Sequence, residues 1–276
     1  VFLLATLVKR TAHLGRKVSV MNTKVSFDCV SAWWQDLNDQ QKSAFAEDPT
    51  KVSEFLDLRV KEIAESIFVT HHSDEEAVQL LVQQKGFTQE RAEAIIKPWR
   101  KYGSDMGYNG PVAWKVRQGF TLKTHAPMVG PCYKELGYLQ SWDFVDTPTA
   151  DSLVFWVPRL VEASTGKNVT QMETHRVAQR QAHNLPDHHC SSFGSIQTLF
   201  ALILAHFKRT GERVPLSNLY AASDTLRAGG RRLIAGRFRS LDLDCGRWGD
   251  SFGRGGVGFF LLGVEELGQP AEKAGE

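Results

Sequence analysis

Residues 192–211 have the sequence SFGSIQTLFALILAHFKRTG, and this stretch decides the fold. Its apolar residues cover most of the circumference of a helix: Phe193, Ile196, Phe200, Ile203 and Phe207. A helix that is apolar on nearly all sides is buried in the protein interior. We therefore predict a central core helix that begins with a cap at Ser191 or Ser192 and ends before Gly211, where glycine typically stops a helix.

Downstream of this helix, from Leu216 onward, the sequence is typical of β structure. A glycine-rich turn at residues 228–230 joins two predicted strands, and residues 257–264 predict a last buried strand. Upstream, the continuous apolar run 153–157 is stopped by Pro158, which predicts another buried strand. The sequence therefore predicts an α+β fold in which a mixed or antiparallel sheet packs on the central apolar helix.

The N-terminal third has helical periodicity instead. Apolar residues recur at steps of three and four over residues 52–67, a helix that we expect to end at His71 and His72, where positive charge suits a helix C-terminus. The capping box at residues 73–76 predicts the start of a second helix, which ends at Gly86. This pattern predicts a helical N-terminal subdomain.

The change of pattern after residue 105 predicts a boundary. Residues 21–105 are assigned to the helical subdomain, residues 106–268 to the α+β domain and residues 269–276 to a charged tail. Residues 1–20 lack the basic start and the long apolar core of a signal peptide, so we interpret them as a non-native or disordered extension. Within the second domain, alternating apolar residues over 112–122 predict a β-hairpin.

Composition bounds the class of protein. The 276 residues are 42% hydrophobic and 23% charged, as in soluble globular proteins, and the formal net charge of +2 gives no overall attraction to nucleic acid or anionic membranes. No apolar run approaches the ~20 residues that a membrane span needs. The four cysteines are spread without a Cys-x-x-Cys pair, so we expect free thiols in a reducing, cytoplasmic location.

His125 and Cys132 lie at the start of a glycine- and proline-rich stretch, residues 126–151, that predicts a long ordered loop with one short helix. A cysteine and a histidine, oriented by Asp143 or Asp146, would suit acyl transfer or thiol hydrolysis. The same residues also fit a structural turn that contains a buried thiol. The first interpretation makes His125 and Cys132 candidate catalytic residues.

A second candidate site is a run of metal-ligating residues: His188, His189 and Cys190, with His175 and His183 upstream. Two imidazoles and a thiolate are good zinc ligands. Adjacent residues seldom point at one metal, however, and the alternative is a polar loop between two helices. We keep His188, His189 and Cys190 as candidate metal ligands and name no cofactor.

A third candidate is the arginine-dense stretch 224–254, which holds seven arginines and four aspartates and so nets +3. Arginines that alternate along a hairpin could bind an anion, which makes Arg231, Arg237 and Arg239 a candidate ligand-binding patch for phosphate or nucleic acid. A solvated strand face, paired with the aspartates, accounts for the same pattern and is the favoured interpretation.

Because no catalytic constellation is complete, we expect a non-enzymatic binding or interaction protein. The alternative is a small-molecule or acyl-transfer enzyme with a Cys/His site, or a metal-binding protein. A deep pocket that joins the loop 124–146 to the loop 183–191 would favour the enzyme. The sequence identifies no partner.

Overall fold

The computed structural model describes residue 43 and residues 68–187, 192–215, 218–238, 242–251, 253 and 255–267. The chain divides into two compact units, Val1–Ile67 and Phe68–Glu276, and all the elements below belong to the second. Three predicted segments lie outside the described residues: the extension 1–20, the apolar repeat 52–67 and the tail 269–276.

The described part of the chain contains both helices and strands, and the strands of its last third follow one another without a helix between them. In order, the helices and strands are β1 (Val69–His72), α1 (Asp74–Lys85), α2 (Gln89–Asp105), β2 (Ala113–Val116), α3 (Ala126–Val129), a short 3-10 helix (Tyr133–Leu139), β3 (Ser152–Trp156), α4 (Val169–Ala182), α5 (Ile196–Thr210), β4 (Tyr220–Arg227), β5 (Arg231–Gly236), β6 (Asp244–Trp248), β7 (Val257–Gly258) and β8 (Leu262–Glu266). The predicted α+β class is confirmed.

The strands form two sheets rather than the one expected. The first has the order β1-β2-β3-β8 and is antiparallel throughout. Its central strand β3 is buried along its whole length, as predicted from the apolar run. Side chains point alternately to the two faces of this sheet. Trp114 of β2 and Trp156 of β3 pack with α5 on one face, whereas Leu153 and Phe155 of β3 pack with α1 and α2 on the other. This sheet is therefore covered by helices on both faces.

The second sheet has the order β6-β5-β4-β7, with β4 and β7 parallel and the other pairs antiparallel. The predicted turn at residues 228–230 joins β4 to β5. Residues 257–264 do not form the single strand that we predicted. Residues 257–258 pair with β4 in the second sheet and residues 262–266 pair with β3 in the first, so the chain crosses between the sheets over 259–261.

Helix α5 is the buried central helix that its sequence predicts. It shares one hydrophobic core with both sheets, including Trp156 of the first and Leu233 of the second. It begins at a cap on Ser195, whose hydroxyl accepts from the N–H of Thr198, and not at Ser191 or Ser192. The reason is Gly194, whose left-handed backbone (φ 80°) cannot be part of a helix.

Two local predictions are wrong. His71 and His72 do not end a helix: they belong to β1, which pairs with β2. The predicted hairpin over 112–122 is absent too, because β2 pairs with β1 and β3. Phe120 is buried in a loop, where its backbone N–H donates to the Thr149 hydroxyl.

No described helix combines the length and the apolar character needed to cross a membrane.

Candidate functional site

His125 is held by its own loop. Its Nδ1 accepts a hydrogen bond from the backbone N–H of Thr121 at 3.0 Å, and its ring lies 4.4 Å from that of Phe68. Burial lowers the pKa of His125, so the ring is neutral at physiological pH. Asp146, one of the two acids expected to orient it, forms an ion pair with Lys123 instead, at 3.0 Å.

Cys132 is buried, with 6% of its surface exposed, and its backbone forms an isolated β-bridge with Leu243 beside the edge strand β6 of the second sheet. Burial raises the pKa of its thiol, and the charge of Asp242 raises it further. Cys245 is a second buried thiol, and its pKa is raised by burial, by Asp244 and by Cys132. A nucleophilic cysteine needs a lowered pKa and access to solvent, and both thiols have the opposite environment.

The predicted metal ligands His188, His189 and Cys190 lie outside the described residues. The two upstream histidines have separate partners: Nε2 of His175 bonds the carbonyl of Glu162 at 2.8 Å, and Nδ1 of His183 lies 3.4 Å from a carboxylate oxygen of Asp105. Within the described part of the chain, no group of three or more histidine, cysteine or acidic side chains is arranged to hold a metal ion.

The predicted arginine patch is divided. Arg231 opens β5 and Arg237 follows its last residue, so the six-residue separation places them ~20 Å apart at ~3.3 Å per residue. Both are exposed, and the side chain of Arg237 hydrogen-bonds Tyr220. Arg232, between them, is buried and has its own carboxylate partners. Arg239 lies outside the described residues.

The loop around Cys132 has one unusual backbone feature. Lys134, Glu135 and Leu136 are three consecutive non-glycine residues with left-handed φ angles of 49°, 51° and 57°. Glu135 and Leu136 line a depression whose lining residues all lie between Leu122 and Val145. Neither His125 nor Cys132 lines it, and among the described residues of the loop 183–191 none does.

A different set of residues, the His206 cluster, combines buried polar groups with exposed charge. It consists of Tyr108, Trp114, Trp156, Arg159, His206, Arg209 and Glu212, which meet at the C-terminal end of α5. His206 is completely buried although the helix around it is apolar. A buried imidazole without hydrogen-bond partners destabilises the fold, so the partners of His206 determine whether it can be accommodated there.

The end of α5 brings Glu212 back to His206. Gly211 adopts a left-handed conformation (φ 73°) that ends the helix and reverses the chain. The hydroxyl of Thr210 donates to the carbonyl of His206 and accepts from the N–H of Glu212, which fixes the reversed segment. As a result, Glu212 Oε2 lies 3.0 Å from His206 Nε2.

The first sheet supplies aromatic walls. Trp114 on β2 and Trp156 on β3 project from the same face, with ring centroids 5.7 Å apart. Their rings lie 6.4 and 5.9 Å from that of His206. Both indole N–H groups and Nδ1 of His206 are buried without a hydrogen-bond partner among the described residues. The alternation of β2 and β3 thus places two indole nitrogens in an otherwise apolar layer, next to Nδ1 of His206 from α5.

Tyr108 forms the remaining wall and separates two guanidinium groups. Its ring centroid is 6.2 Å from His206. Arg209 donates to its hydroxyl at 3.3 Å, and the guanidinium carbon of Arg159 lies 5.9 Å from the ring centroid. Gly110 packs directly on this ring, where a Cβ atom would collide with the Tyr108 hydroxyl. Burial raises the pKa of Tyr108, so it remains a neutral phenol.

The electrostatics of the cluster favour a neutral His206. Burial lowers its pKa, Glu212 opposes this effect, and the charges of Arg209 and Arg159 lower the pKa further. Because Glu212 can only accept as a carboxylate, neutral His206 donates its Nε2–H and carries no proton on Nδ1. Arg159 donates to the other oxygen of Glu212 at 2.7 Å. One carboxylate is therefore shared between a buried imidazole and a half-exposed guanidinium.

This cluster was not predicted from the sequence. The available signal was His206 itself, a titratable residue in a helix predicted to be buried, followed by glycine and then Glu212. The aromatic walls could not be found from spacing, because Tyr108 lies in the loop before β2, Trp114 on β2 and Trp156 on β3.

No protein-family model, curated protein sequence or solved structure matches this chain. Its function is therefore inferred from the contacts of its own residues.

Proposed function

We propose that this is a non-enzymatic binding protein that recognises an acidic segment of another protein at the exposed side of the His206 cluster. The proposal depends on the contacts of Arg209. Its guanidinium is exposed, donates to the neutral hydroxyl of Tyr108 and lies 5.9 Å from the ring centroid of Trp114. Among the described residues it has no carboxylate partner.

A carboxylate is the ligand that suits this arrangement. A guanidinium offers a planar fork of donors that binds carboxylates in bidentate fashion, and packing against an aromatic ring reduces the entropy lost on binding. Residues 208–213 carry three cations and one carboxylate, and Arg159 adds a fourth cation, so this part of the surface nets +3. The whole chain nets only +2, so the positive charge is local.

A protein ligand is favoured over nucleic acid by the distribution of charge. Binding along a phosphate backbone uses an extended basic stripe. Along the described strand β5, Arg232 is buried between the exposed Arg231 and Arg237, so these three arginines do not form a continuous basic stripe. Binding rather than catalysis is supported by burial: His206 is inaccessible to a substrate, and the thiols of Cys132 and Cys245 are buried with raised pKa values.

The test is binding of a fluorescein-labelled oligo-aspartate, followed by fluorescence anisotropy at low ionic strength. We expect Arg209→Gln to weaken binding about tenfold or more, since hydrogen bonds to charged groups contribute about 1.5–3 kcal/mol. The matched control is Arg247→Gln, an exposed arginine on β6, which should bind like the wild type.

Three outcomes would overturn the proposal. The wild type could fail to bind oligo-aspartate, the two variants could lose affinity equally, or a single-stranded oligonucleotide of equal charge could bind more tightly than oligo-aspartate. The last result would identify nucleic acid as the ligand.

A further inference from the structure

Glu212 links the buried part of the His206 cluster to its exposed part. Oε2 accepts from His206 at 3.0 Å, and Oε1 accepts from Arg159 at 2.7 Å. It is the one carboxylate within hydrogen-bond reach of both residues in the described structure. While it neutralises Arg159, that guanidinium is less available to an acidic ligand. A change in how strongly His206 pairs with Glu212 therefore changes how strongly Glu212 neutralises Arg159 at the surface.

We infer that binding at this surface is proton-linked, such that uptake of one proton by His206 strengthens its hold on an acidic ligand. The inference rests on the proposed function and adds its regulation. The proton comes from solvent and is added to Nδ1, which has no hydrogen-bond partner among the described residues. The resulting imidazolium pairs with Glu212 through Nε2–H, and no covalent bond is broken.

Proton uptake changes the surface in two ways. The charge of the cluster rises by one, which attracts an anion more strongly. Glu212 must also balance two cations instead of one, so Arg159 can turn donors from Glu212 to a carboxylate of the ligand. Arg159 is suited to this exchange because its side chain is 36% exposed and its Nη1 is also anchored on the carbonyl of Pro158.

The charged and titratable groups around His206 come from every element that packs on it. Glu212 follows α5, Arg209 lies on α5, Arg159 follows β3 and Tyr108 follows α2. His71 on β1 is the next histidine, and its ring lies 6.0 Å from that of Trp114 on the far side. Of these groups, Arg159 and Arg209 oppose the imidazolium. A bound anion would compensate them, so ligand binding and protonation should favour each other reciprocally.

The experiment measures the affinity for labelled oligo-aspartate between pH 7.5 and 5.5 at constant ionic strength. Aspartate side chains have pKa values near 3.9, so the oligo-aspartate stays ionised throughout this range, and a rhodamine label, which does not titrate there, replaces fluorescein. We expect binding to tighten as the pH falls, by at most about tenfold per pH unit, the limit for linkage to one proton. Far-ultraviolet circular dichroism at each pH verifies that the protein stays folded.

Substitutions test whether His206 is the residue that takes up the proton. His206→Gln keeps an N–H donor for Glu212 but does not titrate, so its affinity should be independent of pH and equal to that of the wild type at pH 7.5. Glu212→Gln should bind more tightly than the wild type at pH 7.5 and should also lose the pH dependence. It tests the same linkage if His206→Gln fails to fold. His71→Gln is the matched control and should keep the full dependence on pH.

The outcomes separate the inference from the proposed function. Binding that is equal at pH 7.5 and 5.5 overturns the inference but leaves the proposed function in place. A pH dependence that survives in His206→Gln, or that disappears in His71→Gln, also overturns the inference. If the wild type binds no oligo-aspartate at any pH, the proposed function itself is wrong.

Discussion

Nε2 of His206 lies 3.0 Å from Oε2 of Glu212, across the point at which α5 ends. His206 is completely buried, whereas about a third of the Glu212 side chain is exposed. The pair therefore spans from the apolar core to the solvent. An imidazole can occupy the centre of this core because the chain reverses at Gly211 and returns an acceptor to it.

Removing this acceptor should destabilise the fold. In Glu212→Ala, the Nε2–H of His206 would be buried without a hydrogen-bond acceptor, at a cost of about 1–3 kcal/mol. Urea denaturation at pH 7.5 measures the change in the free energy of unfolding. Glu173→Ala, at an exposed position of α4, is the control and should change stability by less than ~0.5 kcal/mol. Equal effects of the two substitutions would mean that His206 does not depend on Glu212.

The reversal at Gly211 should be sensitive to a side chain for purely conformational reasons. A Cβ atom there would meet nothing within 4 Å, yet the backbone is left-handed with φ 73°. Gly211→Ala should therefore destabilise the protein by about 1–2 kcal/mol, the cost of this conformation for an L-residue. Gly137 also has open space around it but no left-handed φ, so Gly137→Ala should have little effect in the same urea titration. Equal costs for both would contradict the conformational explanation.

The sequence was informative where a single element determines its own structure. Helix α5 is recognisable because apolar residues cover most of its surface, and the capping box at Ser73 and the end of α1 at Gly86 occur as predicted. The cap of α5 was misplaced because Gly194 and the irregular part of β4 determine it: Asp224 and Thr225 bond the backbone N–H groups of Gly194 and Ile196. These are contacts between segments 30 residues apart.

Pairings that depend on distant partners were not predictable in this way. His71 and His72 suit a helix end equally well, and only the register with β2 makes them a strand. The His206 cluster has the same character, because Tyr108, Trp114, Trp156 and Arg159 come from parts of the chain far from residues 206–212 and no spacing connects them to it. The candidate site at His125 and Cys132 was based on proximity in sequence, whereas the structure leaves His125 partly exposed and buries Cys132.

The stability of the protein should decrease at mildly acidic pH. Burial is the largest cause of the lowered pKa values of His72, His125 and His206. A folded state that binds fewer protons than the unfolded chain becomes more stable as the pH rises, so stability is lost as the pH falls through the unfolded value near 6.5. Urea denaturation at pH 7.5 and 5.5 measures this loss.

His125→Asn separates one contribution to that loss. The amide oxygen of asparagine can replace Nδ1 as the acceptor for the N–H of Thr121, but it does not titrate. The variant should therefore lose less stability than the wild type between pH 7.5 and 5.5. A loss equal to that of the wild type would show that His125 does not contribute to the pH dependence.

The buried thiols should be chemically inert in the native protein. Iodoacetamide reacts with the thiolate, and both access and ionisation are unfavourable at Cys132 and Cys245. Peptide mapping by mass spectrometry should therefore find these two cysteines unmodified after native labelling and modified after labelling in urea. Rapid native alkylation of Cys132 would instead support the hypothesis of a catalytic Cys/His pair.

Arg231 and Arg232 provide the sharpest contrast within the arginine-dense stretch, because successive residues of β5 point to opposite faces. Arg232 is 8% exposed and bonds the carbonyl of Ser223 at 2.8 Å and the carboxylates of Asp224 and Asp250 at 3.2–3.4 Å. Arg231 is exposed at the end of the strand.

We expect Arg232→Ala to destabilise the protein by about 1–3 kcal/mol, since it removes a buried guanidinium that donates to the carbonyl of Ser223 and to two partly exposed carboxylates. Arg231→Ala should change the free energy of unfolding by no more than ~0.5 kcal/mol. Both values come from urea denaturation at one pH. Similar costs would mean that Arg232 is no more than a surface arginine, whereas the expected difference shows that part of the positive charge of this stretch stabilises the sheet and is not available for an anion.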